Sequence, residues 1–159
     1  MLTRPLIKAV PVLGAALFSW GLAPAPASAD EVISTSNRAA QRIVVRVDIS
    51  EQKMTVIQGG QRVHEWPVST ARPGKITPRG TYQPQWFSPR HRSSLYNGAP
   101  MPWSVFYSGD YAIHGTDAVG RLGSPASAGC VRLHTDNAKQ LYAMIQAVGK
   151  TDTYIVVQE

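Results

Sequence analysis

The chain is 159 residues long, 43% hydrophobic and 16% charged, with a formal net charge of +6. Residues 30–159 are the size of one domain and can bury a single core, and the chain has no internal repeat and no low-complexity segment. The positive charge suits anionic glycan, peptide carboxylates or lipid headgroups; nucleic acid fits on charge alone, and no recognition motif supports it.

Residues 1–29 read as a signal peptide. Arg4 and Lys8 form a positive start, Ala9 to Leu22 an apolar stretch, and Ala27-Ser28-Ala29 a cleavage site before Asp30. The apolar stretch falls short of the roughly 20 residues of a membrane span, and Pro11 interrupts it. An uncleaved membrane anchor is the alternative, and either way the rest of the chain is expected outside the cytoplasmic membrane. Residues 30–42 are expected to be a polar tether and residues 43–159 the functional domain.

Ile43, Val45, Val47 and Ile49 alternate with Val44, Arg46 and Asp48, the period of a half-buried strand. Lys53 to Ile57 predicts a second strand, Gly59-Gly60 a hairpin, and Arg62 to Ser69 a third strand that Pro67 assigns to an edge or bulge. Ala71 to Gly80 is turn-rich and opens a strand at Thr81-Tyr82. Trp86 to Pro102 predicts a long irregular loop of the lid or binding kind, and Tyr96, Met101 and Trp103 are candidates to line it, against ordinary packing roles. Trp103 to Tyr107 and Tyr111 to His114 predict two strands around Ser108-Gly109-Asp110. One helix follows, capped by Thr135 or Asp136, with an apolar face of Ala138, Leu141, Tyr142, Ile145 and Val148 and a stop at Gly149. Asp152 to Val157 predicts the last strand, so the domain is mainly β with one α-helix in its C-terminal half.

Cys130 is the only cysteine, and exported proteins normally pair their cysteines or lack them. It lies in Ser127-Ala128-Gly129-Cys130-Val131-Arg132-Leu133, downstream of Ile113-His114-Gly115-Thr116. A thiol attacks a carbonyl as thiolate, a nearby imidazole can take its proton, and backbone N–H groups must then receive the negative oxygen. His114 ends one strand and Cys130 starts the next element, and a Gly/Ser/Pro-rich excursion can fold back to join them. Gly129 permits a tight approach there. Arg132, two positions on, shares a face with Cys130 if the segment is extended, where its guanidinium can hold a carboxylate. Ser127 is a candidate for shaping the loop or hydrogen-bonding near the site. Four histidines and one cysteine show no zinc spacing, so no metal or cofactor is expected.

Taken together, His114-Gly115-Thr116, Gly123 and Ser127-x-Gly129-Cys130-Val131-Arg132-Leu133 resemble the signature of the L,D-transpeptidase catalytic domain, or YkuD domain. Thr77-Pro78-Arg79-Gly80-Thr81-Tyr82 resembles the family's TPxG turn, and the likeness spans about Ile43 to Val157. The resemblance implies a β-sandwich or barrel-like domain and an exported cysteine enzyme of the bacterial cell wall, and the signal, charge and size fit a Gram-negative periplasm better than a thick wall. It implies attack on peptidoglycan tetrapeptide stems with loss of the terminal D-Ala, a thioester on Cys130, and transfer to an amine of a second stem, a wall-anchored protein or a D-amino acid. By the same resemblance His114 is the general base, the N–H groups of Gly129 and Cys130 contribute to the oxyanion hole, and the Gly115 carbonyl orients the base. Arg132, Ser127, Trp103 and Tyr96 are expected on the substrate side.

Many members carry His directly before the Gly-Cys pair, where this chain has Ala128. Two competing readings stay open: resolution of the same thioester by water, and an inactive wall-binding domain.

Overall fold

A computed structural model describes residues 29–159. Residues 1–28, which hold nearly all of the expected signal peptide, lie outside the described residues. The segment read as a tether is helical, α1 (Ala29–Gln41). It ends against the first hairpin, where Gly59 at φ 58 would carry a Cβ only 2.6 Å from the Ala40 carbonyl oxygen.

Among the described residues nine strands form two sheets. β1 (Ile43–Asp48), β2 (Lys53–Gln58), β3 (Gln61–Pro67), β4 (Gly80–Tyr82) and β9 (Thr153–Gln158) lie in the order β3-β2-β1-β9-β4. β5 (Trp86–Arg92), β6 (Pro100–Ser108), β7 (Tyr111–Thr116) and β8 (Val131–His134) form the second sheet in that order. α2 (Thr135–Val148) follows β8 directly. β3 is an edge strand, as Pro67 requires, and the pairing shifts at Val56/Ile57.

The alternation in β1 buries Ile43, Val45 and Val47 completely, and they meet Met54, Val56, Ile155 and Val157 of their neighbours. α2 packs Ala138, Leu141 and Ile145 into the same core, and each fully buried Leu or Ile is worth about 1.5–3 kcal/mol of apolar burial. His134, rather than Thr135 or Asp136, caps α2: its ring accepts the Asp136 N–H, and Gly149 closes the other end. An imidazole nitrogen supplies the acceptor that the sequence assigned to a hydroxyl or carboxylate.

The predicted loop from Trp86 to Pro102 is instead a β-hairpin. β5 and β6 pair antiparallel from Trp86↔Phe106 to Arg92↔Pro100, joined by residues 93–99. Its Ser, Pro and Arg content hides the strands, and Pro89 is tolerated because β5 is an edge. Pairing skips Pro89 and Trp103, and Trp103 sits at φ 58. That irregularity reverses the alternation. Val105 and Tyr107 face the main core beside Trp103 and Phe87, whereas Met101 and Phe106 face the other side with Ala112 and Cys130.

Candidate active site

β7 and β8 run parallel, with Ile113 opposite Val131 and His114 opposite Arg132. Residues 112, 114, 130 and 132 therefore share one face of the sheet, while Ile113, Val131 and Leu133 are buried in the core on the other. The crossover between the strands, residues 117–130, carries a short 3₁₀ turn at Val119–Arg121. Ser69 bridges the free edge of β8, exchanging two backbone hydrogen bonds with Arg132 at 3.0 and 2.9 Å. This fixes Cys130 at the mouth of the β8 strand.

The loop before Cys130 is held by polar groups. The Ser127 hydroxyl, fully buried, accepts the Gly129 N–H at 2.9 Å. The Ser127 N–H donates to Thr70, and its carbonyl accepts from both the backbone and the guanidinium of Arg72. Thr77 ties in the preceding turn: its hydroxyl donates to the Gly129 carbonyl at 2.8 Å and accepts the Ala71 N–H at 2.9 Å. Gly129 has φ 140, and a Cβ there would come within 2.5 Å of the Tyr111 ring and 2.8 Å of the Ile76 carbonyl oxygen. Only glycine fits that position without displacing its neighbours.

His114 is buried, and its Nδ1 lies 2.8 Å from the Gly115 carbonyl. A carbonyl only accepts, so Nδ1 carries the proton and Nε2 keeps its lone pair. Burial holds the imidazole down to about 4, against the opposing pull of the Gly115 bond, with Arg132 and His91 lowering it further. Burial also pushes the Cys130 thiol up from its ordinary value. The Ala112 N–H and Arg132 pull it down, and Asp110 pushes it up. The thiol itself points at the Asp110 carbonyl, 3.8 Å away. Sulfur and imidazole are thus both neutral at rest.

These side chains open into a cleft of about 730 Å³. His114, Cys130, Arg132, Ser127 and Tyr96 all line it, and so does Met101. Two expectations are corrected. Trp103 is not on the cleft: its reversed backbone sends the ring into the core, edge-on to Tyr142 at 5.5 Å and under the Lys139 ammonium at 5.6 Å. The Gly129 N–H is consumed by Ser127, so of the two expected oxyanion donors only the Cys130 N–H is without an acceptor among the described residues.

Sequence reasoning missed Arg72, Asp110 and Tyr111, which also line the cleft. Arg72 lies in the turn-rich stretch after the third strand, whose chemistry was legible but whose position was not. Burial depresses Arg132, and the guanidiniums of Arg72 and Arg121 lower it further. Among the described residues no three His, Cys, Asp or Glu side chains gather as a metal site would need.

A protein-family model of the L,D-transpeptidase catalytic domain, YkuD, matches residues 42–157. Among solved structures, the chain is similar to an L,D-transpeptidase from Mycobacterium smegmatis at 26% identity and a TM-score of 0.66, covering 74% of this chain and 59% of that one. An L,D-transpeptidase from Mycobacterium tuberculosis H37Rv matches at 26% identity and a TM-score of 0.66, covering 74% and 58%. L,D-transpeptidase 3 from Mycobacterium tuberculosis, in complex with a faropenem-derived adduct, shares the fold at 24% identity and a TM-score of 0.65, covering 74% and 60%. The chain therefore spans about three fifths of the length of these relatives. A comparison with curated protein sequences gives no match. With its family model covering most of the described residues and its two-sheet fold shared with these structures, the chain belongs to the L,D-transpeptidase catalytic domain (YkuD) family.

Proposed function

We propose that the chain is an exported cysteine acyltransferase that cleaves peptidoglycan tetrapeptide stems and passes the acyl group to an amine. One observation carries this reading: a histidine with Nδ1 fixed on the Gly115 carbonyl and Nε2 free shares a sheet face and a cleft with the lone thiol and Arg132.

In this mechanism the stem lies in the cleft with its scissile carbonyl at Cys130. Because burial keeps both partners neutral, Nε2 of His114 takes the thiol proton as sulfur attacks, rather than before it. The Cys130 N–H receives the negative oxygen. Arg132 and Arg72 hold a stem carboxylate, since a guanidinium pairs with it bidentately. The imidazolium returns its proton to the departing D-Ala amine, leaving a thioester. The incoming amine then attacks that thioester, with His114 again removing a proton. The faropenem-derived adduct of the Mycobacterium tuberculosis relative supports a cleft open to acylation, and we extend adduct formation, on Cys130, to this chain.

Intact-mass spectrometry tests the reading. The chain mixed with a disaccharide-tetrapeptide should gain the mass of the acyl group without D-Ala, and Cys130→Ala should gain none. An adduct of equal yield on the alanine variant would refute it.

A further inference from the structure

The reversal at Pro89 and Trp103 places an aromatic group on the same sheet face as Cys130. Trp86 stacks on Phe106 at 3.6 Å between ring centroids, with the planes 5° apart. His91 stands edge-on to both, at 5.5 and 5.0 Å. Phe106 is buried and packs with Met101 and Ala112 beside Cys130, whereas Trp86 is 43% exposed on an edge strand. One indole face is therefore covered by Phe106 and the other is open. The His91 ring makes no hydrogen bond among the described residues.

The apolar surface here is one indole wide. Along β5 on the same face it gives way to Ser88, with the His91 ring beyond the break at Pro89. That is far less than the roughly 800 Å² per partner of a stable protein interface. It matches one sugar ring, whose C–H edge carries the partial positive charge that the negative face of an indole attracts. His91 adds a polar group for a hydroxyl.

The spacing agrees. β5 and β8 are separated by three strand-to-strand steps, about 14 Å at roughly 4.8 Å each. Three extended stem residues reach at most about 10–11 Å, and the lactyl group joining stem to sugar supplies the remainder. A stem with its third-residue carbonyl at Cys130 thus sets its sugar near Trp86.

We propose that Trp86 and His91 form a glycan subsite, in which a ring of the peptidoglycan backbone stacks on the open face of Trp86 while its stem occupies the Cys130 cleft. The subsite rests on the transpeptidase reading above.

The test compares D-Ala release from a disaccharide-tetrapeptide and from the same tetrapeptide without sugars. Trp86→Ala should raise KM for the first about fivefold to tenfold with kcat unchanged, the pattern of lost uniform binding. It should leave the second donor unaffected, and Trp86→Tyr should restore most of the loss. Equal effects on both donors would assign Trp86 a structural role and overturn the subsite, as would no effect on either. NMR titration of the wild-type chain with the free disaccharide keeps the two readings apart. A shift of the Trp86 indole N–H supports the subsite even if neither donor releases D-Ala, a result that would sink the transpeptidase reading alone. No shift at saturating disaccharide would overturn the subsite.

Discussion

His114 and Cys130 are displaced in opposite directions by one cause, removal from water. A neutral thiol beside a neutral imidazole reacts differently from a thiolate–imidazolium pair. Alkylation of Cys130 by iodoacetamide should rise with pH through a midpoint above the ordinary thiol value of 9.0, and a midpoint below 7 would show a resting ion pair instead. His114→Ala should slow acylation by roughly 10²–10⁴-fold, the contribution of a general base, as read by single-turnover kinetics. Gly129 is constrained twice, by φ 140 and by the Tyr111 ring and Ile76 carbonyl. Gly129→Ala should destabilise the fold by about 1–3 kcal/mol in urea unfolding and reduce D-Ala release further than that loss explains, because any relief moves Cys130. The chemistry of these residues was legible in the sequence, since a lone cysteine, an upstream histidine and the intervening glycine carry it by type. The geometry of the oxyanion donors was not. Whether a backbone N–H is free depends on a hydroxyl two residues away, and Ser127 takes the one at Gly129.

Strands with strict alternation, β1 above all, were readable because one face is buried and the other is not. The β5–β6 hairpin was not, because Pro89 and Trp103 break the period and each half of the strand faces a different way. That break removes Trp103 from the cleft and brings Trp86 and His91 to its side. The α2 cap was missed for a related reason: His134 acts through a ring nitrogen that only the geometry of the strand end aims at Asp136. The turn from Ala71 to Gly80 shows how one element positions another. Thr77 satisfies a carbonyl of the Cys130 loop and an N–H of its own segment at once. Thr77→Val leaves both without that partner, and should cost about 1–3 kcal/mol in urea unfolding and lower the acylation rate. Unchanged stability would mean that water replaces the hydroxyl without loss.

Two sheets, a late helix and a parallel β7–β8 pair bring a strand end and a loop together, and the whole fold carries the strain of burying His114. In the folded chain the imidazole titrates at about 4 and in the unfolded chain near 6.5. Between those values the unfolded chain binds more protons, so stability rises with pH across this window and falls as the medium is acidified through it. The loss should approach about 3 kcal/mol near pH 4, and urea unfolding of His114→Gln should show a flatter profile there. A wild-type profile with no fall between pH 6.5 and 4 would contradict a buried neutral imidazole. The central claim, that Cys130 carries an acyl group from a tetrapeptide stem to an amine, is tested most directly by D-Ala release. The chain should be incubated with a disaccharide-tetrapeptide under reducing conditions, and free D-Ala and the muropeptide products weighed by mass spectrometry beside Cys130→Ala. We predict D-Ala release together with cross-linked dimer from the wild-type chain and neither from the variant. Tripeptide without dimer would replace transfer by hydrolysis, and no release from the folded wild-type chain would contradict the account.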